Sequence, residues 1–186
     1  MSKTSNNRSS KGGKVLPALC NVIGTAILLA VILTFLPLTA PRYMGYEVFN
    51  VVSPSMEPEI PVNSVIYVQP VRPEDLQEGD IIAFHTGSSV MTHRVMKNQT
   101  VVGELTTKGD ANEKEDISKV GYTSVIGKVT FHLPFIGGLM AIYASPIGKA
   151  YALVFAACGV MFNLLAGRMR ARRRERMVQE MLEGKR

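Results

Sequence analysis

From Val15 to Pro41 the chain holds 27 residues without one charged side chain, in the run "VLPALCNVIGTAILLAVILTFLPLTA" and the proline after it. About 20 apolar residues suffice for a helix to cross a bilayer, whereas the apolar core of a cleavable leader is about 7–15 residues long. Pro37, Pro41 and the bulky Tyr43-Met44 also make "LTAPRYM" a poor cleavage site. Residues 15–41 are therefore expected to form an uncleaved transmembrane anchor. A second uncharged run of 18 residues, Ala150 to Gly167, ends at "RMRARRRER". Lys149 can snorkel to the headgroups and lengthen that span. Residues 149–167 are read as a second transmembrane helix rather than a buried core helix.

Between the two runs the pattern changes to short stretches rich in Val, Ile, Thr and Phe. "YEVFNVVS" (46–53), "SVIYVQ" (64–69), "DIIAFHT" (80–86), "SVMTHRVM" (89–96), "TVVGELTT" (100–107) and "SVIGKVTFH" (124–132) read as strands. Pro, Gly, Asn and Asp fill the breaks, as in Pro61-Val62-Asn63, Glu78-Gly79-Asp80 and Gly109-Asp110. No helical stripe of useful length interrupts them. The expectation is a mainly β protein: a small all-β domain over 42–132, flanked by two transmembrane helices. The Gly- and Pro-broken apolar stretch 133–148 is placed at the outer membrane interface.

Charge orients this arrangement. The chain has 21 Lys and Arg against 15 Asp and Glu, a net charge of +6. Residues 1–14 carry four basic side chains (Lys3, Arg8, Lys11, Lys14) and no acid, and residues 168–186 carry eight basic and three acidic ones. Residues 42–132 carry eight basic and twelve acidic ones. Positive flanks stay in the cytoplasm, so both termini are expected inside and the β domain outside. The net charge then reflects topology, and no nucleic-acid partner is expected. An Arg-rich cluster beside a span binds anionic lipid headgroups. Cys20 and Cys158, the two cysteines, fall inside the expected spans, so the exported part needs no disulfide.

Candidate chemistry sits in "SPSMEP" (53–58), where two hydroxyls flank a proline. A serine hydroxyl is a poor nucleophile until a base takes its proton. His85, His93 and His132 are candidate bases, and lysine is the other type that can serve. His93, in "MTHRV", shares a strand face with Met91 and Val95, which equally fits a core histidine. Asp110 and Asp116 lie six residues apart in "TKGDANEKEDIS". A carboxylate on the far nitrogen of a histidine would fix its tautomer, although a solvated acidic loop reads the same way. Nothing in the sequence calls for a metal or cofactor.

Taken in order, "SPSMEP", "EGDIIAF", "THRV", "KGDANEKED" and "VIGKV" resemble the boxes of the type I signal peptidases of peptidase family S26. The similarity is to their histidine-using branch, found in the endoplasmic reticulum, in archaea and in some Gram-positive bacteria. A lysine at position 93 would mark the commoner bacterial branch, and Pro54 stands where family members commonly have Gly. The resemblance implies a membrane-bound serine endopeptidase that removes signal peptides from exported preproteins. It implies Ser55 as nucleophile, His93 as general base and Asp116 as its orienting carboxylate, with Asp110 supporting the loop. Ser53 and the Ser55 N–H would form the oxyanion hole. Val51 and Val52 would pair with the extended substrate, and Met56 would meet the membrane or line the pocket. Partners implied are signal peptides and membrane lipids, with the secretion translocon as a further candidate.

Fourteen residues separate Pro41 from Ser55, so an active site close to the bilayer is expected. A plasma membrane is favoured by the second span and the basic tail. The sequon Asn98-Gln99-Thr100 has meaning only in an endoplasmic reticulum lumen. Three other readings use much of the same sequence. They are a processing peptidase dedicated to pilus or matrix subunits, a self-cleaving repressor-type protease, and a non-enzymatic module that assembles envelope proteins.

Overall fold

The computed structural model describes residues 9–184; Lys3, Arg8, Lys185 and Arg186 lie outside the described residues. Two compact units result, one from Leu36 to Ser145 and one from the helical segments on either side of it.

The 36–145 unit is built on a seven-stranded antiparallel sheet. Its strands are β1 (Glu47–Asn50), β2 (Val65–Gln69), β3 (Ile81–Thr86), β4 (Ser89–Gln99), β5 (Glu104–Lys108), β6 (Val120–Gly121) and β7 (Val125–Leu133). They lie in the order β1-β2-β7-β3-β4-β5-β6, so β1 and β6 are the edges. The apolar run of β2 has a reason in this order. Val65, Ile66, Tyr67 and Val68 are all buried, because both faces of the strand are covered. Ile66 and Val68 pack with Val51, Met56, Ile60 and Ala83. Val65 and Tyr67, on the other face, pack with Val48, Leu38 and the helix α2 (Gly137–Ala144) through Leu139, Met140 and Tyr143. A third cluster (Leu76, Ile82, Phe84, Val95, Leu105 and Val120) fills the β3–β6 end.

Three expectations change. The unit extends beyond 42–132: the end of the first helix and α2 belong to it. The apolar character of 133–148 is accounted for in part by the packing of α2 on β1 and β2. Second, "TVVG" is not the start of a strand. β4 runs on to Gln99, which pairs with Glu104, and a turn closed by the Gly103 N–H to Gln99 O (2.9 Å) leaves Val101 fully exposed. Third, the chain is not mainly β by residue count. The helices α1 (Ser9–Tyr43, 35 residues), α2 (8 residues) and α3 (Pro146–Glu183, 38 residues) hold nearly half of it.

In the helical unit α1 and α3 are both long and apolar enough to cross a membrane. They approach closely at two glycines. A Cβ on Gly24 would lie 2.7 Å from Gly159 O, and one on Gly159 would lie 2.8 Å from the Leu28 side chain. Small residues let helix backbones meet in this way, and polar side chains add interhelical bonds there. Thr25 supplies one, its hydroxyl 3.4 Å from Asn163 Oδ1. Helix α3 continues past residue 167 through the arginine block. Between Gly167 and Gly184 there is no residue that breaks a helix, and Arg, Glu, Met, Leu and Gln all propagate one.

Candidate active site

Ser55 stands in a single 3-10 turn, Pro54–Met56, just past β1. Ser53 enters the turn in extended conformation (φ −115°, ψ 150°) and Pro54 presets the next φ. Met56 drops into the core, 1% exposed, beside Ile60 and Ile66. The Met56 carbonyl accepts from the Ile60 N–H at 2.8 Å, and the Pro54 carbonyl from the Glu57 N–H at 3.0 Å. A side chain sunk on one side of Ser55 and a proline on the other leave the serine little freedom. The Ser53 and Ser55 hydroxyls are 3.4 Å apart.

Strand β4 carries His93, 4% exposed, on the same face as the buried Val95. His93 Nδ1 lies 2.5 Å from Asp116 Oδ2. With an ionised carboxylate as acceptor, Nδ1 is the nitrogen that donates, and in a neutral ring Nε2 then holds the lone pair. Asp116 is itself held by β5: its Oδ2 accepts from the Thr107 hydroxyl at 2.7 Å, and its N–H donates to Thr107 O at 2.8 Å. The Phe84 ring meets the imidazole edge-on, with centroids 6.2 Å apart.

Asp110 has a different partner. Arg94 donates to both of its oxygens, from Nε at 2.8 Å and Nη2 at 2.6 Å, and a third bond runs from Nη1 to Gly79 O at 2.8 Å. The hydrogen bond to Asp110 is the main cause that raises the Arg94 pKa above its ordinary value. This pair clamps the start of the 109–119 loop to β4.

Gly109 is where these parts meet. A Cβ there would lie 2.6 Å from Ser55 O, 2.8 Å from Asn112 Nδ2 and 3.0 Å from His93 Nε2. The neighbouring Ala111 N–H donates to Ser55 O at 3.0 Å, tying the loop to the turn. Ser55 and His93 thus meet at one buried glycine, with Asp116 on the far side of the imidazole and Asp110 next along the chain. Among the described residues Ser55 Oγ and His93 are not hydrogen-bonded to each other, a bond that often tightens only when substrate binds. Beside His93 opens a cleft of about 870 Å³ lined by Phe84, His85, Met91, Thr107 and the 111–119 segment. His132, on β7 opposite Ile66, is not part of this cleft. Among the described residues no three His, Cys, Asp or Glu side chains converge as a metal set.

The expected peptide-binding residues separate. Met56 is a core residue, so it neither meets a membrane nor faces an open pocket. Val51 is also buried, and its backbone is used: its N–H donates to Ser64 O and its carbonyl accepts from Asn63 N–H, both at 2.8 Å. Val52, two residues past the edge strand β1, is 79% exposed. Among the described residues neither its N–H nor its carbonyl is hydrogen-bonded to another backbone group. Asn98 is engaged too, donating to Pro73 O (3.0 Å) and Leu76 O (2.8 Å) and accepting from the Tyr122 hydroxyl (2.5 Å), so its amide is not free for a glycan. Thr107 and Arg94 were not singled out from the sequence. The only signal for them is adjacency, Arg94 beside His93 and Thr107 two residues before Gly109.

Residues 40–130, from the end of α1 to β7, match the family described as Peptidase S24-like. That range contains Ser53, Ser55, His93, Asp110 and Asp116. A second match is to "Signal peptidase I W" of Bacillus subtilis (strain 168), 36% identical over 100 residues. Over that stretch the chain is similar to a signal peptidase I. The aligned stretch covers 50% of this chain and 52% of the Bacillus protein, so the chain spans about half the length of that relative. An antiparallel sheet domain similar to these peptidases, in a chain with two helices long and apolar enough to cross a membrane, is the common ground of these observations.

Proposed function

We propose that this chain is a membrane-bound serine endopeptidase of the histidine-using kind that removes signal peptides from exported preproteins. The observation that carries the reading is the contact of His93 Nδ1 with Asp116 Oδ2 at 2.5 Å, beside the glycine against which both Ser55 and His93 Nε2 are packed. In this reading Ser55 Oγ attacks the scissile carbonyl while His93 Nε2 takes its proton. Asp116 keeps the other nitrogen protonated and stabilises the imidazolium. The negative oxygen of the tetrahedral intermediate is met by the Ser55 N–H and the Ser53 hydroxyl, and His93 then returns its proton to the leaving amine. Asp110 and Arg94 position the loop and do not touch the reacting atoms.

The substrate strand pairs with the outward edge at Val52 rather than Val51, and presents small side chains at the third and first positions before the cut. Both termini lie in the cytoplasm and the 36–145 unit outside a plasma membrane, the orientation that the charge distribution favours. The test is cleavage of one fluorogenic signal-peptide substrate by the reconstituted full chain. His93→Ala should lose nearly all activity, whereas His85→Ala and His132→Ala should keep most of it. Retained activity in His93→Ala with loss in His85→Ala would assign the base to the other histidine beside the cleft.

A further inference from the structure

Beyond residue 167 α3 is a helix with two dissimilar sides. At about 100° per residue, Arg170, Arg174, Met177, Val178 and Met181 fall within roughly a third of the circumference. Glu175, Glu180 and Glu183, the three acids of this segment, all fall on the opposite half. Met177 and Val178 are nearly half exposed, and Met181 and Leu182 are more than 60% exposed. Arg170, Ala171, Arg174 and Met177 line one open strip of surface. A side that combines arginines with unbranched and branched apolar chains, with Glu175 at its margin beside Arg174 and Val178, does not suit water on its own.

We infer that residues 168–183 form a docking helix that rests this side on an anionic lipid surface, Arg170 and Arg174 reaching phosphate headgroups and Met177, Val178 and Met181 entering the acyl boundary. Charge complementarity selects this occupant. Guanidinium groups bind phosphate bidentately, an interfacial helix needs an apolar strip flanked by cations, and the acids point away from the like-charged surface. The earlier part of the same helix is one of the two segments able to cross a membrane, so headgroups lie within reach of the arginines that follow it. Docking bends α3, which is continuous through Gly167 in the structure, at that residue, the weakest helix former between the apolar run and the arginines. The inference rests on α3 crossing a membrane and not on the peptidase reading, so either can fail alone.

The full chain, with Cys20→Ala and Cys158→Ala, is reconstituted in phosphatidylcholine vesicles with and without phosphatidylglycerol, and an environment-sensitive dye is attached at Val178→Cys. Retention of the protein in both vesicles reports the span; the dye reports the docking. Expected is a blue-shifted emission, quenched by acyl-chain quenchers, in the anionic vesicles alone and reversed by high salt. R170Q/R174Q should lower the docked-to-free ratio about thirtyfold. R168Q/R172Q removes the same charge from the opposite side and should lower it far less. Equal emission in both vesicles would overturn the inference, as would equal loss in the two double variants. A blue shift that requires added RNA, or that rises with protein density in neutral vesicles, would also overturn it, in favour of nucleic acid or a second copy.

Discussion

At the scale of single residues the two aspartates have separate partners, and substitution should distinguish the tasks proposed for them. Asp116→Asn leaves the shape of the site but offers His93 an amide, which can hold the wrong tautomer. Turnover should fall about 10³–10⁴-fold with the fold intact. Asp110→Asn breaks a charge-assisted pair with Arg94, so its main effect should be on stability, about 1–3 kcal/mol, with a smaller loss of rate. Ser53→Ala should lose roughly 10²–10³-fold in kcat with little change in KM, as expected for a donor that acts on developing charge. Rates on one peptide substrate, with thermal melts of each variant, check all three; a folded and fully active Asp116→Asn would move the orienting role elsewhere. Few residue types can do this chemistry, so Ser55, three histidines and two aspartates stand out in the sequence, and only the resemblance to the signal peptidases selects His93 and Asp116 among them. The sequence did not reveal Thr107 as the second partner of Asp116 or Arg94 as the partner of Asp110, since such contacts join residues 9 and 16 positions apart. The sequence leaves Met56 open for a related reason: an apolar residue beside a reactive one looks the same whether it faces a pocket or, as here, the core.

At the scale of elements the site depends on three pieces meeting at one point: the 53–58 turn, β4 and the loop after β5. Gly109 is that point, and Gly109→Ala tests it. The added methyl would sit 2.6 Å from Ser55 O, a backbone atom that cannot swing aside, and 3.0 Å from the imidazole. Separating Ser55 from His93 by about 1 Å should cost about 100-fold in kcat/KM, with the sheet still formed by circular dichroism. Wild-type activity in Gly109→Ala would mean that the turn and β4 need not approach this closely. Most strands were legible because β-branched runs bounded by turn residues leave few alternatives. The exceptions are physical. Val101 and Val102 have high strand propensity, but the hairpin must turn somewhere between Gln99 and Glu104. β6 is two residues long and carries no periodicity to read. The helical tail looked like a basic segment only, because charge draws the eye where propensity decides the conformation.

At the scale of the whole molecule the proposal requires the β unit and the two chain ends to lie on opposite sides of one membrane. Labelling from outside should reach an introduced cysteine at Glu74, and should not reach one at Ser5 or Gly184. Access to either terminus from outside would refute the two-span arrangement. Orientation matters because a signal peptide's cleavage site emerges on the far side of the membrane, where only an exported serine could reach it. The most direct measurement is the N-terminal sequence of the product formed when the reconstituted chain is incubated with a preprotein, with Ser55→Ala run in parallel. The account predicts one new N-terminus, directly after small residues at the first and third positions before the cut, and no product from Ser55→Ala. Cleavage by Ser55→Ala at the wild-type rate, or cuts confined to the mature part of the preprotein, would contradict it.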